Sequence, residues 1–161
     1  MAKIAYYKGW GTSFWDKVMT LAVMIWTLGK YSHCELIKTN GHDDDPSQWE
    51  WYSASAFNEG IVRKKTIAIK EKNWDIFDLP EFDEDKAFDF IATQFGKKYD
   101  WTGILLSQFL PFGKHSRKKW FCSEICRKGL YEGGLIKGSD KHHAYSPNKL
   151  FREQLFAGQL L

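Results

Sequence analysis

Tyr31-Ser32-His33-Cys34-Glu35-Leu36-Ile37-Lys38 reads as a β-strand, and the fold follows from that reading. Side chains alternate faces along a strand, so His33 and Glu35 share one face while Cys34 and Leu36 share the other. One face therefore offers an imidazole and a carboxylate, and the other offers two groups suited to a core. Toward the N-terminus, residues 3–8 form a second short strand ended by Gly9. Gly11-Thr12-Ser13 is a turn with an N-cap, and a helix is expected from Phe14 to Leu28. Val18, Leu21, Ala22, Ile25 and Leu28 have the three-and-four spacing of one buried face, and Gly29 suits the C-terminal cap.

Downstream, Asn40-Gly41 starts a turn that the acidic stretch His42 to Asp45 extends to Pro46. Strands are expected at 49–54, 61–64, 66–69 and 74–79, the last stopped by Pro80. The second half changes character. A helix from Asp83 to Phe95 has Ala87, Phe88, Ile91 and Phe95 on its apolar face, acids in its first turn and Gly96 after it. A shorter helix from Tyr99 to Leu110 should break before Pro111, with a loop over 112–119. Helices at 122–131 and 148–156 follow, the second opened by Ser146-Pro147. A run of strands followed by helices predicts an α+β fold, one sheet packed against a few helices in a single domain, 1–161.

Composition bounds the function. The chain is 43% hydrophobic and 27% charged, which places it among globular rather than disordered proteins. A net charge of +3 is too small to argue for nucleic acid. Lys114, Arg117, Lys118 and Lys119 form a basic run beside Trp120, which reads as a solvated loop or as a surface that meets an anionic substrate. The 3 cysteines give no closed disulfide framework, and reduced thiols fit an intracellular setting. No signal-peptide pattern opens the chain, which predicts a cytoplasmic protein. The apolar stretch Val18 to Leu28 is far shorter than the ~20 residues of a membrane span.

The chemistry centres on Cys122. It lies where a loop becomes a helix, in Trp120-Phe121-Cys122-Ser123-Glu124. Helix N-termini carry unsatisfied N–H groups and a partial positive charge, which favour thiolate and can also form an oxyanion hole. A cysteine nucleophile needs an imidazole as base, and His33 supplies one, with Glu35 on the same face to orient the ring. His42, His115, His142 and His143 fall in polar loops and are expected to be exposed. Cys122 and Cys126 at i, i+4 match no common zinc framework, so neither metal nor cofactor is expected.

These segments, in order, resemble one family: Tyr31 to Ile37, Tyr52-Ser53-Ala54-Ser55 with Gly60-Ile61-Val62-Arg63, Tyr99-Asp100-Trp101, and Trp120 to Glu124. It is the circularly permuted, papain-like branch of the NlpC-type hydrolases, the YiiX-like proteins, with lecithin retinol acyltransferase a remoter relative. The resemblance runs from the Ile4-Ala5-Tyr6-Tyr7 strand to the Ser146-Pro147 helix. It implies an antiparallel sheet, a His strand preceding the Cys helix, Cys122 as nucleophile and His33 as base. Glu35 is the preferred third member, and Ser53 on the neighbouring strand is the alternative. Tyr99, Ser53 and Trp120 become candidate substrate-binding residues. The implied activity is cleavage of an amide or (thio)ester through an acyl-thiol intermediate. Its substrate would be a peptide, a cell-wall peptide or a lipid amide, and the protein would be monomeric. An acyltransferase and a non-catalytic binding module are the competing expectations. A cytoplasmic protein acting on cell wall would need a delivery route such as lysis by a bacterial virus encoding it.

Overall fold

The computed structural model describes residues 1–10, 14–26, 28–55, 60–66, 71–99, 119–137 and 145–160. The chain is α+β. Strands β1 (Ala2–Tyr7), β2 (His33–Lys38), β3 (Glu50–Ala54), β4 (Val62–Lys65) and β5 (Trp74–Asp78) form an antiparallel sheet ordered β4-β3-β2-β1-β5. The helices are α1 (Phe14–Trp26), α2 (Glu84–Ala92), α3 (Cys122–Glu132) and α4 (Pro147–Phe156).

Register sorts the side chains. Tyr7 pairs with both His33 and Trp74, and Ala5 pairs with Glu35 and Ile76. Ile4, Tyr6, Cys34, Leu36, Tyr52 and Ala54 point into the main core with α2 and α3. On the other face, Ala5, Ile37 and Trp51 form a smaller cluster closed by Trp49, Trp74 and Ile76. The alternation expected of 33–36 holds, with Cys34 and Leu36 fully buried among core residues.

Local chemistry fixes the helix ends. Asp83 caps α2 by accepting from the Lys86 N–H at 3.2 Å, and Gly96, at φ +78°, turns the chain away after it. Ser146 caps α4 by accepting from the Lys149 N–H at 3.1 Å. Asn148 then ties α4 to the entrance of β2. Its side chain accepts from the Tyr31 N–H at 3.0 Å and donates to the Tyr31 carbonyl at 2.7 Å. Arg127 of α3 holds Glu153 of α4 with two parallel bonds of 3.1 and 3.0 Å.

Two expectations change. Val18, Leu21, Ile25 and Leu28 face solvent, Ile25 at 64% and Leu28 at 86% exposure. The spacing identifies residues that share a face. It does not say that this chain covers the face, and the sheet's helix side is already filled by α2 and α3. Tyr99 begins no helix. It belongs to β6 (Lys98–Tyr99), which pairs in parallel with β7 (Lys119–Trp120). The expected strand at 66–69 and helix over 99–110 otherwise lie outside the described residues, as do Lys114, His115, Arg117, Lys118, His142 and His143. His42 is exposed, as expected. Among the described residues no helix is long and apolar enough to cross a membrane.

Close packing of α3 on the sheet depends on Gly129. A Cβ there would stand 2.8 Å from Leu36 Cδ1 and 3.0 Å from Ile91 Cδ1. Gly129→Val should lower the unfolding free energy by about 1–3 kcal/mol in urea titration. Ile25→Lys, on the exposed face of α1, should change it by no more than ~0.5 kcal/mol. A large loss from the second variant would show that α1 is core after all.

Candidate active site

His33 opens β2 and Cys122 opens α3, and the packing of α3 on β2 brings the two ends together. Cys122 interacts electrostatically with the His33 ring and with the thiol and backbone of Cys34. On the other side of the imidazole, His33 Nε2 lies 2.9 Å from Glu35 Oε1. Glu35 is 2% exposed and Cys122 4%, whereas the His33 side chain keeps 23%.

Phe121 precedes α3 with extended backbone, φ −91° and ψ 159°. Its side chain has no acceptor, so it cannot cap the first-turn N–H groups as Ser, Thr or Asp would. Glu124 accepts instead from the Phe121 N–H at 3.2 Å, which fixes the entry of the chain into the helix. Ser123 donates to the Tyr145 carbonyl. The first turn of α3, which Cys122 opens, is thus tied both to the segment before it and to Tyr145.

The charges reinforce one another. A hydrogen bond from the Cys34 thiol is the largest influence on Cys122. It outweighs burial and, with the His33 charge, holds the Cys122 thiol well below its ordinary range. Burial, together with the Cys122 and Cys126 sulfurs, pushes Cys34 the opposite way. Burial works to lower His33, but Cys122 and Glu35 beside it prevail and hold the imidazole up at about 10. Burial would raise Glu35, yet its bond to His33 and the charges of His33, Lys65 and Arg63 keep it below the usual carboxylate range. These directions all favour a thiolate, an imidazolium and a carboxylate in sequence.

Ser53 is buried, and its hydroxyl donates to the Cys34 carbonyl at 2.8 Å rather than to His33. Tyr99 is buried with its ring edge-on to Phe121 at 5.8 Å, one residue from the nucleophile candidate. Trp120 is 6% exposed. Its indole donates to Gln94 Oε1 at 3.2 Å and meets Phe90 edge-on at 6.0 Å, so its visible work is to anchor the segment entering α3. Among the described residues no group of His, Cys, Asp or Glu side chains is arranged to hold a metal.

Three contributors escape a reading of the sequence. Cys34 points away from His33 along the strand, yet both reach Cys122 because the helix end sits at the strand end. Trp74 packs at 6.3 Å from the His33 ring and at 5.0 Å from both Tyr7 and Trp51, forming an aromatic wall beside the imidazole. Lys65 Nζ lies 3.5 Å from Glu35 Oε1. The first contact needs the helix packed on the strand end and the other two cross strands, so only the assembled fold discloses them. The one available signal was the alternation Arg63, Lys65, which puts two cations on one face.

This electrostatic arrangement predicts selective reactivity. With iodoacetamide at pH 6, Cys122 should alkylate at least about tenfold faster than Cys34 or Cys126, read by peptide mass mapping. Equal rates in the folded protein would remove the basis for an activated thiol. Set against known proteins, the chain matches no family model, no curated protein and no solved structure.

Proposed function

We propose that this protein is a cysteine hydrolase of the permuted papain-like, NlpC-type architecture, cleaving an amide or (thio)ester. The observation that carries the reading is the placement of Cys122 at a helix N-terminus packed on the strand of His33, whose ring is bonded to the buried Glu35 carboxylate. A nucleophile, a proton carrier and an orienting anion are what acyl transfer to a thiol requires. The strand bearing the imidazole precedes the helix bearing the thiol, in keeping with the permuted order.

In this reading the Cys122 thiolate attacks the substrate carbonyl, and first-turn N–H groups of α3 stabilise the oxyanion. The His33 imidazolium gives its proton to the leaving amine, alcohol or thiol. The neutral ring then takes a proton from water, whose oxygen attacks the acyl-Cys122 carbonyl and releases the acid. Glu35 holds the ring and stabilises each imidazolium state. Ser53, engaged with the Cys34 carbonyl, supports the strand. Trp74 and Tyr7, backed by the buried Trp51, favour a substrate that offers apolar or aromatic surface beside the scissile bond.

Hydrolysis of a chromogenic acyl ester tests the roles. Cys122→Ala should abolish turnover and covalent labelling. Glu35→Gln preserves shape and removes charge, and should lower kcat by about 10²–10⁴-fold with the fold intact by circular dichroism. Ser53→Ala should leave kcat near the parent value. The reverse pattern in the last two would hand the orienting role to Ser53, and full activity of Cys122→Ala would defeat the reading.

A further inference from the structure

Glu35 raises a question that its bond to His33 does not answer. The carboxylate is 2% exposed, and both of its recorded contacts fall on Oε1. Among the described residues Oε2 is buried without a hydrogen-bond partner. A buried carboxylate so poorly solvated would be expected to take up a proton, and a neutral Glu35 could not support an imidazolium.

The groups facing it can be named strand by strand. β1 offers Ala5, which pairs with Glu35 and carries no charge. β2 offers His33. β3 offers Ser53, whose hydroxyl is given to the Cys34 carbonyl. β4 offers two cations. Lys65, opposite Trp51, brings Nζ to 3.5 Å from Glu35 Oε1. Arg63, opposite Ser53, has its Nε buried and unpartnered among the described residues. Cys122 lies beyond His33, on the far side of the ring.

We infer that Lys65, with Arg63 beside it, is a positioning residue of the site, fixing Glu35 against His33 as a carboxylate. The inference rests on the hydrolase reading above and extends the row of alternating charges by one member: thiolate, imidazolium, carboxylate, ammonium. Lys65 touches neither nucleophile nor substrate and acts only through Glu35. Its side chain keeps 27% exposure, so its removal should not endanger the fold. Placing the compensating cation two strands from β2 keeps it behind Glu35 and away from the exposed part of the His33 ring. The charge of Glu35 is thus set from behind the site.

The test follows the Glu35 carboxyl carbon by NMR across acid pH, alongside the pH dependence of Cys122 alkylation by uncharged iodoacetamide. Removing a cation destabilises the carboxylate, so Lys65→Met should raise the Glu35 midpoint by about one pH unit. The acid limb of Cys122 alkylation should move up with it, because a Glu35 that has taken up a proton no longer holds the imidazolium ring firmly in place beside the sulfur. Lys65→Arg should restore both midpoints. In a Glu35→Gln background, Lys65→Met should leave the alkylation midpoint where it was, since the coupling passes through the carboxylate. A merely structural lysine would move none of these. An unchanged Glu35 midpoint in Lys65→Met, with a reactive parent Cys122, overturns the role of Lys65 alone. A parent Cys122 no more reactive than Cys34 overturns the hydrolase reading and this role with it.

Discussion

The bond between His33 and Glu35 joins two groups that would each prefer to be neutral in a protein interior. Their contact favours the charged form of each, and the surrounding fold supplies that contact. Removing one partner of a buried ion pair costs about 3–5 kcal/mol, because the other charge is stranded. The arrangement is consequently demanding of its frame. β2 must present the two residues on one face, β4 must bring Lys65 within reach, and α3 must deliver its N-terminus to the start of β2. Each requirement is met by a separate device: strand alternation, sheet register, and the Asn148 and Arg127 clamps that hold α4 and α3 beside the strand.

Those devices also divide the site between the two faces of the sheet. Cys34 stands in the main core, and its thiol and backbone N–H reach Cys122 from there. His33 and Glu35 stand on the opposite face, next to the tryptophan cluster. Cys122 can meet both sets because it sits at the end of the strand rather than above its middle. A helix packed half a strand further along would bury the sulfur among Leu36 and Tyr52, out of reach of the imidazole. Gly129, about two turns into α3, permits the close approach to Leu36 and Ile91 that fixes this position.

Much of this was legible in the sequence because it depends on local periodicity. The strand at 33–38, the helix opening at Cys122 and the cap at Ser146 are all decided within a few residues, and each appears within two residues of its expected place. The shared face of His33 and Glu35 is likewise a property of one strand. What stayed hidden was whatever needs a partner from elsewhere. The spacing of Val18, Leu21, Ile25 and Leu28 defines a stripe without stating what covers it. Tyr99 reads as helical in isolation but is drawn into a two-residue parallel pairing with Trp120. Lys65 belongs to a strand whose register against β3, and so whose distance from Glu35, no single segment encodes.

Exposure gives the site a direction. Of Cys122, His33 and Glu35, His33 alone is appreciably open, at 23% against 4% and 2%. If Cys122 is the nucleophile, the substrate carbonyl must approach along the imidazole, since Cys34 and the core close the other side. A leaving group would then emerge where the proton donor already stands, and the incoming water would enter by the same route in the second half of the reaction. The wall of Trp74, Trp51 and Tyr7 borders that approach, so its first task is to limit the water around His33. Reduced hydration strengthens the contact between imidazolium and carboxylate, as low polarity strengthens any paired charge. It would also make an unpaired Glu35 harder to keep ionised, which is why a cation on β4 belongs to the same design as the tryptophans beside β2.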